Sequence, residues 1–168
     1  MMSSRRIVAS SNISPKGSLF ADIKSDNIAQ SRKKLIKIVS MHLNKVHHIA
    51  IICSNYERSK RFYTEVLWLE VMAEHFRETR QSWKADLSLN GSYVIELFSF
   101  PSPPPRPSYP EAVGLRHLAF EVDDIEAAEH ELTEKGIAHE PIRTDEYTHK
   151  RFVFFSDPDD LPIELYER

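Results

Sequence analysis

The sequence predicts an α+β fold built from two consecutive βαβββ modules, and three observations predict it. The first is spacing: His48 and His117 lie 69 positions apart, Glu96 and Glu164 lie 68 apart, and the helix-start residues Ser54 and Asp123 again lie 69 apart. A duplication accounts for all three offsets. The second is order: each half runs strand with His, helix, strands, then strand with Glu, at His-to-Glu separations of 48 and 47. The third is the join, "FPSPPPRPSYPEA", which holds six of the ten prolines and, being poor in amide donors, cannot enter a central ladder.

The first half opens with "VHHIAII", an apolar run of strand length. "SNYE" then has the form of a capping box, Ser54 bonding an amide near Glu57 and Glu57 reaching back. In the helix that follows, Phe62, Tyr63, Val66 and Leu67 fall on one face. "SWKADLSLN", a turn at Gly91 and "SYVIELFSF" supply the remaining strands. The second half repeats this with the strand "LRHLAFEV", a cap in "DDIE" from Asp123 to Glu126, and a helical face of Ile125, Ala128 and Leu132 that stops at Gly136. "RFVFFSD" and "LPIELYE" close it. The organisation expected is an N-terminal extension over 1–40, then one domain over 41–168, with modules at about 44–100 and 113–167 and a connector over 101–110.

A chain of 168 residues can bury the core of one ordinary domain without a disulfide or metal. Its single cysteine, Cys53, excludes an internal disulfide and a multi-cysteine zinc site, and points to a reducing, cytoplasmic setting. Residues 41–168 carry fourteen Lys/Arg against twenty-three Asp/Glu, an acidic balance that argues against a nucleic-acid partner. No apolar run approaches the ~20 residues of a membrane span. Residues 1–40 are basic, with eight Lys/Arg against two acids and six serines in the first twenty positions. That is the composition of an organelle transit peptide, and equally of a disordered tail or of sequence upstream of a start at Met41.

Chemistry concentrates on four residues. Glu96 shares a strand face with Val94, Phe98 and Phe100, where an ionised carboxylate costs several kcal/mol unless paired or coordinated. Glu164 in "LPIELYE" poses the same problem. The plain alternative is a pair of edge-strand glutamates in solvent. Duplication favours the other reading: each His beside its Glu, the two pairs brought together, and His48, Glu96, His117 and Glu164 holding a divalent metal such as zinc, nickel, iron or manganese. Strand alternation does not choose between His47 and His48, but the second module does. His117 matches His48, and His47 takes the place of Arg116, facing solvent or supporting the ligand.

With these residues in "HIAI…RSKRFYTEVL", "YVIELF", "GLRHLAFEVDDI" and "DPDDLPIELYE", residues 44 to 167 resemble the vicinal oxygen chelate superfamily, in its glyoxalase I branch. The resemblance implies the glyoxalase/bleomycin resistance/dioxygenase-type fold, two modules forming a cup around a metal. It implies His48 as a ligand, since the family's His lies fourteen residues before "FY". Glu at position 96 is the glyoxalase I pattern, whereas the dioxygenase and fosfomycin-modifying relatives look like His, His, Glu sites. The implied activity is a lactoylglutathione lyase-like lyase or isomerase that moves a proton beside a metal-bound carbonyl, with Glu164 as base and Glu96 able to share the role. Alternatives within the resemblance are a dioxygenase or epimerase and a non-catalytic module that sequesters a drug or metabolite. The family's ligands come from one chain or are shared across a homodimer, and the dimer is favoured.

The resemblance has gaps. Glutathione-using members carry Arg four residues after the first ligand and Asn four after the first Glu, where this chain has Ile52 and Phe100. The expected substrate is therefore a small anionic molecule that need not contain glutathione, with Arg77, Arg80, Lys84, Lys150 and Arg151 as candidate cations. Trp68 stands where the family has Gly, so its loop is expected to differ in shape and narrow the mouth of the site; Asp160 replaces the Gly of "DPDG" and tolerates positive φ. His42, His75, His130, His139 and His149 have no partner in the repeat and read as surface or core. Cys53 reads as buried packing.

Overall fold

The computed structural model describes residues 41–168, and the compact unit within it runs Lys45–Arg168. The expectations for residues 1–40 lie outside the described residues. In the first module, β1 (Ile49–Cys53) leads to α1 (Tyr56–Arg61), which runs on through a π-helical turn at Phe62–Val66. Then come β2 (Glu70–Arg77), β3 (Ser82–Leu89) and β4 (Ser92–Ser99). The second module repeats the order with β5 (Leu118–Val122), α2 (Ile125–Glu134), β6 (Arg143–Thr144), β7 (Arg151–Ser156) and β8 (Pro162–Glu167). The irregular connector is longer than expected from its prolines, since β4 ends at Ser99 and β5 begins at Leu118.

Each module makes a four-stranded sheet, ordered β1-β4-β3-β2 and β5-β8-β7-β6, with the first and last strands of the module paired in parallel. Parallel neighbours need a crossover, which the helix and the two intervening strands provide. The registers coincide: Ala50 faces Glu96 and Ala119 faces Glu164, so each Glu sits beside a position two residues past its module's His. Both glutamates are on interior strands, which removes the reading of edge-strand glutamates in solvent. The β3–β4 hairpin turns on Asn90 and Gly91, both at positive φ, as a tight two-residue turn requires.

Alternation divides each sheet into two faces. One is covered by the module's helix: Ile51, Cys53, Ala85, Leu87, Ile95 and Leu97 in the first module, and Val153, Phe155, Ile163 and Leu165 in the second, join in one core. The modules therefore pack back to back. Tyr63 donates to Asp157 across the join at 2.8 Å, both groups buried, and burial pushes both pKa values up. Asp159 accepts from the amide of Ser54 at 3.1 Å, from its hydroxyl, and from the hydroxyl of Ser59 at 3.2 Å. "DPDD" is thus the clasp between the modules.

That clasp shifts the first helix cap. Asp159 occupies the Ser54 hydroxyl, and Asn55 caps α1 instead, accepting from the amide of Arg58 at 3.0 Å. The second cap moves equally: Asp124 accepts from the amides of Glu126 and Ala127 at 3.0 Å, while Asp123 pairs with Arg168 at 3.2 Å. The offset of 69 survives between Asn55 and Asp124.

The expectation for Trp68 is also corrected. Its loop keeps the positive φ, 57°, that a glycine would favour. The indole donates to Glu131 at 2.7 Å and Lys135 lies 4.2 Å over its ring, so contacts with α2 hold the left-handed backbone. Trp68 sits at the join between modules, away from the faces that carry the His and Glu residues. Among the described residues no helix is long and apolar enough to cross a membrane.

Candidate metal centre

The sheet face opposite each helix carries the residues singled out by spacing. His48 and His117 immediately precede β1 and β5, the edge strands, and the glutamates sit on the neighbouring β4 and β8. His48 Nε2 lies 3.3 Å from Glu96 Oε2, and His117 Nε2 lies 3.2 Å from Glu164 Oε2. Two ligands about 2.1 Å from a shared ion and roughly 100° apart leave a similar separation between donor atoms, so each pair fits two adjacent positions on a metal. The donor set of imidazole and carboxylate suits the same ions.

The two pairs do not meet within the chain. Among the described residues no cluster of three or more His, Cys, Asp or Glu side chains is placed to hold a metal. Back-to-back packing explains this: the helix-covered faces share the core, which leaves each His–Glu pair on an open face of its own module.

The surroundings of the pairs differ. Opposite Glu96 on β3 is Asp86, and opposite Phe98 is Lys84. The Lys84 ammonium bridges Asp86 at 2.6 Å and Glu96 Oε1 at 2.8 Å, while Tyr93 donates to Asp86 at 2.9 Å. Burial alone would raise Glu96, but Lys84 and then His48 outweigh it and hold the carboxyl below its usual range. Burial likewise works against the Lys84 charge, and Asp86 and Glu96 more than offset it. His48 stacks on the Tyr93 ring at 5.1 Å, and its Nδ1 lies 2.8 Å from His47 Nδ1. His47 thus meets His48 at Nδ1, the ring nitrogen other than the Nε2 that lies against Glu96.

In the second module the register is the same and the residues are apolar. Phe154 faces Glu164 where Asp86 faces Glu96, and Phe152 stands where Lys84 stands. The Phe154 ring meets His117 edge-on at 5.2 Å. His117 Nδ1 is a buried nitrogen without a hydrogen-bond partner among the described residues. Arg143 lies over Phe152 and Phe154 at 4.9 and 5.7 Å and pairs with Glu140 at 2.7 Å.

Of the five cations suggested by sequence, the structure brings Lys84 alone against a predicted ligand. Arg77 lies over Phe98 and Phe100 at 4.6 and 5.4 Å and donates to Ser82, and Arg151 is held by Glu126 and Glu167. Lys150 donates to the carbonyl of Arg168, and Arg80 lies in the short turn between β2 and β3. Ile52 and Phe100, in place of glutathione anchors, add apolar surface. Cys53 is fully buried and its thiol is pushed up to about 11 by burial, which keeps it protonated and unreactive. Arg143 was invisible to spacing, because its counterpart 68 positions earlier is His75 rather than an arginine or lysine.

Comparison with known proteins adds the family. Residues 45–165 match the model of the Glyoxalase/Bleomycin resistance protein/Dioxygenase superfamily. The chain is 64% identical over 128 residues to the uncharacterized protein YwkD of Bacillus subtilis, covering 76% of this chain and 100% of that one. It is 61% identical over 126 residues to the uncharacterized protein YaeR of Escherichia coli, covering 75% and 98%. Among solved structures, a glyoxalase family protein from Enterococcus faecalis superposes with a TM-score of 0.69 at 48% identity, covering 76% of this chain and 100% of that one. The trypanothione-dependent glyoxalase I of Leishmania major, at 24% identity and a TM-score of 0.59 over 74% of this chain and 87% of that one, shares the fold.

Proposed function

The chain belongs to the glyoxalase/bleomycin resistance protein/dioxygenase superfamily, and from that premise we propose that it is a metal-dependent lyase or isomerase with glyoxalase I-like chemistry, acting as a homodimer on a small anionic substrate. The observation that carries this reading is the pair of register-matched His–Glu contacts at 3.3 and 3.2 Å. His48, Glu96, His117 and Glu164 would hold a divalent ion of the zinc, nickel, iron or manganese kind. When bound, such an ion supplies Lewis acidity towards substrate oxygens.

Two copies complete the site. The open faces of one chain carry half a ligand set each, and both histidines stand at sheet edges, β1 and β5. Setting β1 of one copy beside β5 of another joins His48 and Glu96 of the first to His117 and Glu164 of the second.

The carboxylates divide the work. Lys84 pins Glu96 through Oε1 and leaves Oε2 towards His48, the posture of a fixed ligand. Glu164 faces Phe154 and has His117 as its ion-pair partner, so it can turn towards a substrate carbon. Glu164 takes the proton from the carbon beside a carbonyl and returns it to the neighbouring carbon. Phe152 and Phe154 exclude water from its approach. The bacterial relatives and the protonated, buried Cys53 fit a reducing cytoplasmic setting.

Elemental analysis of the purified protein, followed by kinetics of Glu164→Gln on a panel of 2-oxoaldehyde adducts of thiols and of acyl-thioesters, tests the proposal. Bound metal in wild type and turnover lost in the variant are expected. A protein that takes up no divalent metal, or a variant with undiminished turnover, overturns it.

A further inference from the structure

A cavity of about 120 Å³ lies between the connector and the open face of the second module, lined by Arg106, Tyr109, Arg116, His117, Arg143 and Phe154 among others. Its three guanidinium groups are not equivalent. Arg106 is spent on the connector: it donates to the carbonyls of Leu115 and Arg116 and, at 3.0 Å, to the Ser108 hydroxyl, which in turn donates to the carbonyl of Asp160. It shapes the roof. Arg143 rises from the short edge strand β6, and its guanidinium carbon lies 4.9 Å and 5.7 Å from the ring centres of Phe152 and Phe154, the second of which meets His117 edge-on. Arg116 adjoins His117 in sequence and meets Glu111 at 3.8 Å.

The acids that meet Arg143 and Arg116 are weakly committed. The Arg143–Glu140 pair is about half exposed on both sides, and the Arg116–Glu111 pair is more exposed still. Solvent screens exposed pairs of this kind and they exchange readily for a ligand. A planar guanidinium braced on aromatic rings suits two parallel hydrogen bonds to a carboxylate or phosphate. The first module has no such pair: His75 stands in the register position of Arg143, and His47 in that of Arg116.

We propose that this cavity is the anion subsite for the substrate, Arg143 forking onto a carboxylate or phosphate group with Arg116 as the second cation, so that the substrate's anionic end lies on the His117–Glu164 side. The inference rests on the proposed function for the part played by His117 and Glu164. The anionic end on this side directs the neighbouring carbon towards Glu164, and the substrate's apolar part meets Phe154.

Chelator-treated full-length protein is titrated with inorganic phosphate, pyruvate and neutral hydroxyacetone, followed by nitrogen-15 NMR of the amides and arginine side chains. Phosphate and pyruvate are expected to shift Arg143 Nε–H and the amides of His117 and Phe154 saturably, and hydroxyacetone to leave them unmoved. Arg143→Met weakens binding of both anions by about tenfold or more, and Arg143→Lys, which keeps the charge and loses the fork, by less. Zinc affinity, measured in parallel, stays at the wild-type value in both variants. Undiminished anion binding by Arg143→Met, equal binding of hydroxyacetone, or shifts that map elsewhere overturn the subsite. Zinc uptake without anion binding removes the subsite and spares the proposed function; anion binding without zinc uptake keeps the subsite and removes the metal-dependent reading.

Discussion

The open faces of the two modules share one backbone register and differ in chemistry. Around Glu96 the first module places Lys84, Asp86 and Tyr93, a hydrogen-bonded set that satisfies one carboxylate oxygen and fixes the other. Around Glu164 the second places Phe152 and Phe154, whose side chains offer no hydrogen bond, and adds Arg143 over their rings at 4.9 and 5.7 Å. The repeat keeps the positions of the two His–Glu pairs and varies their surroundings. The difference teaches that matched positions need not have matched surroundings: Lys84 tethers Glu96, while Glu164 meets His117 and faces the Phe154 position.

The sharpest way to break this comparison is to neutralise each carboxylate in turn. Glu164→Gln is expected to lower turnover by about 10²–10⁴-fold while three ligands keep the metal. Glu96→Gln, at saturating metal, keeps most of the turnover and shows its loss in metal affinity. Equal turnover losses in the two would abolish the division of labour.

The histidines come next in size. His48→Ala is expected to abolish metal uptake, measured by competition with a chromogenic chelator. His47→Ala, which removes only the support behind His48, weakens it by about tenfold. Loss of uptake in both would mean that His47 ligates as well.

The turns that join each module's last two strands form a second contrast. The first uses Asn90-Gly91, two residues at positive φ; the second uses "DPDD", whose Asp157 also accepts from Tyr63 and from the amides of Asp159 and Leu161. Asp157→Ala leaves these buried donors unmatched and is expected to destabilise by about 2–3 kcal/mol in denaturant titrations. Asn90→Ala costs roughly 1 kcal/mol, the penalty of the left-handed backbone. The smallest effect is at Trp68→Gly. Relief of the positive φ offsets the lost contacts with Glu131 and Lys135, for a net change within about 1 kcal/mol in the same titration.

Most of the fold was legible because duplication reports twice. The offsets of 68 and 69 carried the strand order, both helices and the four candidate ligands, and the second module chose His48 over His47 where alternation was silent. What was lost depended on contacts between segments distant in sequence. Ser54 has every local feature of a cap, yet Asp159, 105 residues away, takes its hydroxyl. Trp68 breaks the rule for its backbone because α2 supplies partners that its neighbours in sequence do not. Lys84 stood in a list of five cations, although "KAD" on an alternating strand puts it on one face with Asp86, and that pattern could have marked it. Arg143 had no such signal: a two-residue edge strand has too little periodicity to read, and its counterpart is a histidine. The separation of the two pairs was likewise illegible, since equal spacing fits both a site within one chain and a site between two.

That last point is also the central claim, and complementation tests it directly. Chains carrying His48→Ala and chains carrying His117→Ala are purified separately, then unfolded together and refolded, and bound metal is measured by elemental analysis. A site shared between copies predicts little metal in either variant alone and one restored site in each mixed dimer, where the intact first module of one chain meets the intact second module of the other. Mixed dimers that bind no more metal than the separate variants would contradict it.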